Sequence, residues 1–67
     1  MALKDYRGAI EDFTKAVELN SEDSEAFMNR GMARITIGQK ESGCLDLSKS
    51  GELGYSEAYR AIKEFCN

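Results

Sequence analysis

The chain has 67 residues, with twelve acidic and nine basic side chains (net charge −3), no proline, no tryptophan and no histidine. That length allows one small domain of marginal stability. The charge balance speaks against a phosphate backbone as partner, so no nucleic acid is expected. No apolar run approaches the roughly 20 residues that span a bilayer, so no membrane is expected either.

Ala, Leu, Glu, Lys and Met are plentiful and favour helices. The opening stretch MALKDYRG lacks the apolar core of a signal peptide. A first helix is predicted over about 5–19, where Ala9, Ile10, Phe13, Ala16 and Val17 make one apolar stripe. NSEDSEA then interrupts, with Asn20 closing the helix and Ser21 or Ser24 capping the next. The second helix is predicted over about 24–37, with Phe27, Gly31 and Ile35 in register and Gly38 as its stop. Gly31 costs about 1 kcal/mol relative to alanine in mid-helix. A third helix covers about 40–52 and carries Gly43, Cys44, Leu47 and Ser50, ending at GELGY with Gly54 left-handed. A fourth begins near Ser56, taken as its cap, with apolar Ala58, Tyr59, Ile62 and Phe65. Linkers this short set neighbouring helices antiparallel, so the expected fold is all-α: stacked antiparallel hairpins of about four helices.

The chain also repeats itself. Moved forward by 34 positions, residues 3–20 fall on 37–54: Asp12 meets Asp46, Lys15 meets Lys49, Glu18 meets Glu52 and Leu19 meets Leu53. Ala9 meets Gly43, Ala16 meets Ser50 and Phe13 meets Leu47. A period in the thirties signals a stacked helical unit that cannot bury its apolar face alone.

These residues resemble the tetratricopeptide repeat family, in which each repeat of about 34 residues is an antiparallel helix pair, A then B. The resemblance makes 24–53 a complete repeat, 3–20 the second half of a preceding one, and 56–66 a following or capping helix, all within a single domain over 1–67. It implies a small-residue crossing of helices A and B. Gly31, Gly43 and Ser50 occupy the small positions there, Phe27 and Leu47 the large ones, and Ala9 and Ala16 the equivalents in the first half. Departures are present. Arg30 and Arg34 stand where the family has leucine and tyrosine, Ser21 replaces a proline, and GELGYSEAYRAI looks more like the related Sel1-like repeats.

By that resemblance, the chain is a non-enzymatic protein-interaction module, an α-solenoid scaffold whose concave wall is built from A helices. Glu25, Met28, Asn29, Met32 and Thr36 share that face at helical spacing and are the expected partner-binding residues. Two methionines suit an adaptable apolar contact, and they equally suit packing on a neighbouring helix. Some family members hold acidic C-terminal tails in an asparagine and lysine clamp. Asn29 matches one clamp asparagine, but Glu57 and Ala61 stand where basic residues are needed, so that specificity is not expected.

Arg30 and Arg34, four residues apart, read either as a grip on a partner carboxylate or, preferred here, as stems over apolar surface with heads in water. Cys44 and Cys66 read either as a disulfide worth about 2–4 kcal/mol or, preferred here, as two reduced, partly buried thiols. Two cysteines without histidine make no zinc signature. With no histidine to activate a thiol and no paired carboxylates, no catalytic residue, metal or cofactor is expected. The first helix lacks an A-type partner, so either the chain is a piece of a longer array, the origin favoured here, or Ile10, Phe13 and Val17 mediate self-association, with a homodimer as the alternative role. The sequence leaves the compartment open, leaning to the cytoplasm.

Overall fold

A computed structural model describes residues 5–66. Readings that fall on 1–4 and on Asn67, the first positions of the internal repeat among them, lie outside the described residues. Within these bounds the chain is all-α: α1 (Tyr6–Leu19), α2 (Ser24–Thr36), α3 (Lys40–Glu52) and α4 (Glu57–Phe65), with no strand among the described residues.

Local chemistry sets the helix ends. Asp5 accepts a hydrogen bond from the Gly8 amide at 3.1 Å and starts α1. After α1, Asn20 is extended and its side-chain oxygen accepts from the Glu22 amide at 3.0 Å, folding the chain into an Asx turn. Asp23 then caps α2 by accepting from the Ala26 amide at 3.1 Å. Capping therefore falls to Asp23, not to Ser21 or Ser24: Ser24 is already the first residue of the helix, and the Asp23 carboxylate is the group that reaches the Ala26 amide. Ser56 is likewise no side-chain cap: its backbone is already helical (φ −63°, ψ −27°), which turns its hydroxyl away from the amides ahead.

Both glycine stops close the same way. Gly38 takes φ +92° while the Gln39 amide donates to Arg34 O (2.8 Å) and the Gly38 amide to Ile35 O (3.1 Å). Gly54 takes φ +104° while the Tyr55 amide donates to Ser50 O (3.1 Å) and the Gly54 amide to Gly51 O (3.0 Å). Each is a complete Schellman motif, and only glycine holds that positive φ without strain.

The helices pack as successive antiparallel hairpins. Along the α2–α3 seam, Ser24 meets Ser50, Arg30 meets Asp46 and Ile35 meets Gly43, so residue numbers rise on one helix as they fall on the other. At its centre, a Cβ added to Gly31 would lie 2.7 Å from Gly43 O, and one added to Gly43 would lie 2.6 Å from Gly31 O. The two backbones touch because neither residue carries a side chain. Ser50, fully buried, donates from Oγ to Ser24 O at 2.8 Å and closes the seam at its other end. The buried set is small throughout: Val17, Ala26, Ala33, Ala58 and Ala61 around a fully buried Leu47.

Cys44 and Cys66 are joined in a disulfide with Cα atoms 5.9 Å apart, tying α3 to the end of α4. This corrects the preference for free thiols. The antiparallel α3–α4 hairpin, whose other end sets Gly51 against Tyr59, brings positions 44 and 66 level with one another.

Candidate functional site

The candidate face is the side of α2 turned away from α3. Four of its five sequence-chosen residues are divided between two cavities, with Met32 in both. Met28 and Met32, both half-buried, line a cavity of about 270 Å³ between α2 and α4, with Ala61 and Phe65 opposite. Asn29, Met32 and Thr36 line a second, more apolar cavity of about 350 Å³ between α2 and α1, with Tyr6, Ala9 and Phe13 opposite. Met32 is thus shared by both. Thr36 donates its hydroxyl to Met32 O at 2.9 Å, a bond within its own helix that leaves the hydroxyl oxygen as an acceptor only. Glu25 is exposed at the N-terminal end of α2.

The α2–α4 groove is rimmed by charge. Glu57, Arg60 and Glu64 project into it from α4. At its N-terminal end the Tyr55 hydroxyl lies 3.5 Å from Glu57 Oε1. The Tyr55 phenol is held above its ordinary range, first by the charge of Glu57, then by burial and then by the charge of Glu25. The fields of two carboxylates from neighbouring helices therefore meet at this end of the groove.

Behind the face, on the α3 side, lies an ion network. Asp46 is almost fully buried, its side chain 7% exposed. Arg30 grips it with two parallel bonds, Nε to Oδ2 and Nη2 to Oδ1, both 2.9 Å. Arg34 Nη1 adds a third, to Oδ2 at 2.9 Å. The remaining Arg30 Nη1 donates to Thr14 Oγ1 at 3.2 Å, which links α1 to the same cluster. The Arg30 guanidinium also lies over the Phe27 ring, 5.5 Å from its centre. Its pKa is raised by the Asp46 hydrogen bond, against the opposing effect of burial.

This corrects both readings of the two arginines. The carboxylate they hold is the chain's own, and the heads turn inward instead of reaching water, because Asp46 is buried on the facing helix and needs countercharge. The network was missed in the sequence, yet a signal was present. Asp46 sits between Gly43 and Leu47 on the buried stripe of α3, where a lone carboxylate demands a partner.

On α1, the residues expected to self-associate divide. Ile10 and Phe13 keep part of their surface open, and Phe13 lines the α1–α2 cavity. Val17 is buried within the chain and offers no such area, because it sits on the covered side of α1. Of the residues chosen for packing, Gly31, Gly43, Leu47 and Ser50 are buried, while Ala9, Ala16 and Phe27 are half-buried. On the far side of α3, Leu45 is exposed beside a depression of about 620 Å³ that the disulfide lines. Among the described residues no group of three or more His, Cys, Asp or Glu is placed to hold a metal, and no helix is long and apolar enough to cross a membrane.

Comparison with curated proteins finds helical-repeat relatives. The chain is 38% identical over 64 residues to small glutamine-rich tetratricopeptide repeat-containing protein 2 of Mycosarcoma maydis, covering 92% of this chain and 18% of that protein. It is 33% identical over 57 residues to TPR repeat-containing thioredoxin TDX of Arabidopsis thaliana, covering 85% of this chain and 15% of that protein. The chain thus spans less than a fifth of the length of either relative. No family model matches it, and no solved structure does.

Proposed function

The chain belongs to the tetratricopeptide-like repeats, and from that premise we propose that it is a non-enzymatic interaction module that holds a peptide or protein surface on the α2 face carrying Glu25, Met28, Asn29, Met32 and Thr36. The observation that carries this reading is the placing of the two methionines. Met28 and Met32 lie in an open cavity between two helices, not in the seam that holds the fold together. Thioether side chains there adapt to varied apolar partners. Both cysteines are tied to each other, which leaves no free thiol among the described residues to act as a nucleophile. The test is selection of peptide binders against the intact chain, followed by the Met28→Ala, Met32→Ala double variant. Binding of the selected peptides should fall at least about tenfold while the helical circular dichroism is retained. Unchanged affinity would move the site elsewhere.

A second reading is favoured by the α1–α2 cavity. Ile10 and Phe13 keep apolar area that the described helices do not cover, and a second copy of the chain could cover it. Light scattering then reports a dimer, and Phe13→Glu converts it to a monomer. A monomer of 7.5 kDa at high concentration removes this reading.

A further inference from the structure

The α2–α4 groove combines an apolar floor with an acidic rim. Met28, Met32, Ala61 and Phe65 make the floor, and Glu57 and Glu64 stand over it with Arg60 between them. Because α2 and α4 both run antiparallel to α3, they lie in the same sense, and the groove follows them. The helix span from Glu57 to Phe65 is eight steps, about 12 Å at the rise of an α-helix, which is room for roughly three or four residues of extended chain. A cavity of about 270 Å³ admits a side chain or two and is small for a drug-sized ligand.

We propose that this groove takes a basic, extended peptide segment with one apolar anchor: the anchor seats on Met28, Met32 and Phe65, and arginine or lysine side chains on either side of it meet Glu57 and Glu64. This rests on the reading of the α2 face as the binding face and names the chemistry of its partner. Charge complementarity decides the sign. Glu57 and Glu64 stand toward the two ends of the groove against the single guanidinium that lines it, Arg60, and Glu25 lies close enough to the Glu57 end to act on the same Tyr55 hydroxyl. An acidic tail would meet like charge at Glu57, the position that would have to be basic to clamp it. The Tyr55 phenol stands at the Glu57 end of the groove, its pKa raised first by the charge of Glu57 and, after burial, by that of Glu25.

The test uses the intact chain and three labelled peptides read by fluorescence anisotropy. Each has a central leucine, flanked in one by arginines, in the second by serines and in the third by glutamates. The arginine peptide should bind most tightly and the glutamate peptide at least about tenfold more weakly. Affinity for the arginine peptide should fall severalfold between about 0.05 M and about 0.5 M salt. Glu57→Gln with Glu64→Gln should weaken it about three- to tenfold at unchanged melting temperature, and Met28→Ala with Met32→Ala should weaken the arginine and serine peptides alike. Equal or tighter binding of the serine or glutamate peptide, still dependent on the methionines, overturns the basic partner and leaves the interaction face standing. Arginine-peptide binding that ignores the methionines is charge attraction alone and overturns the groove. No binding of any peptide at millimolar concentration overturns both.

Discussion

Replacing Gly31 by alanine asks whether the α2–α3 contact depends on the missing side chain. On an open helix the change should stabilise, because alanine gains about 1 kcal/mol over glycine in helix propensity. Here the new Cβ would stand 2.7 Å from Gly43 O, 3.0 Å from Asp46 Cβ and 3.1 Å from Leu47 Cδ2. The nearest of these is backbone and cannot swing aside. Reaching ordinary contact at 3.4 Å requires the helices to part by about 0.7 Å (3.4 minus 2.7). That shift works against the 2.8 Å bond from Ser50 to Ser24 and the 2.9 Å grip of Arg30 on Asp46. Overpacking costs about 1–3 kcal/mol, and against backbone that cannot swing aside the upper part of that range applies, about 2–3 kcal/mol. Set against the propensity gain, Gly31→Ala should destabilise by about 1–2 kcal/mol, lowering the melting temperature by roughly 4–16 °C in a domain of this size. Gly51→Ala is the matched control. The atoms nearest its Cβ would be the far end of the Tyr59 ring, and Tyr59 is 56% exposed and can move, so the change should stay within about 0.5 kcal/mol. Urea and thermal unfolding followed by circular dichroism measure both. If Gly31→Ala melts at or above the parent temperature, the glycine contact does not hold the hairpin and the reasoning fails.

Three further outcomes follow from the same geometry. Asp46→Leu should cost about 2–4 kcal/mol, because two guanidinium groups lose their carboxylate, whereas Arg30→Met with Asp46→Leu should cost less than the sum of the two single changes; additivity in urea unfolding would deny the coupling. Reducing the Cys44–Cys66 bond should cost about 3 kcal/mol for a loop of sequence separation 22, and hydrogen exchange should rise first in α4; unchanged protection of α4 with both thiols reduced would refute its tethering. In a Tyr6→Phe, Tyr59→Phe background, the Tyr55 phenolate absorbance should appear at a higher pH than for an ordinary tyrosine, and Glu57→Gln should bring it down. The sign is that of a raised folded-state pKa: the neutral phenol's contribution is present below the unfolded value and is lost as pH rises through the folded one.

The four helices were legible because their signals are local. Apolar residues at helical spacing set the stripes, and Gly38 and Gly54 marked ends that the backbone could leave only with positive φ. Caps were less legible. Serine and aspartate compete for the same role, and the choice between Ser21, Asp23 and Ser24 depends on which amide the turn leaves within reach. The Arg30–Asp46–Arg34 cluster was missed, and the disulfide was the less favoured of two readings, for a shared reason. Each joins residues on different helices, 12 to 22 positions apart, and their meeting depends on how the α2–α3 and α3–α4 hairpins are aligned. A helix-by-helix reading sees Arg30 and Arg34 as stray charges; only the facing helix shows that both reach the buried Asp46. The proposed binding face was chosen as a row on α2, while its division between two grooves depends on where α1 and α4 lie.

The small-residue seam also explains why this chain has apolar surface to offer. A hairpin held by large interlocking side chains would draw its methionines and leucines inward. Here Gly31 and Gly43 bring the backbones together, and Leu47 is the one large side chain among those fully buried. Little volume remains between α2 and α3 for others. Cohesion is transferred to contacts that need little room: a buried serine bond, a carboxylate shared by two arginines, and a disulfide. Met28, Met32 and Phe65 are then left on the outer faces, where burial against a partner is worth about 1.5–3 kcal/mol for each side chain fully covered. The same close approach that holds the hairpin together therefore leaves apolar side chains outside it, available to a second molecule.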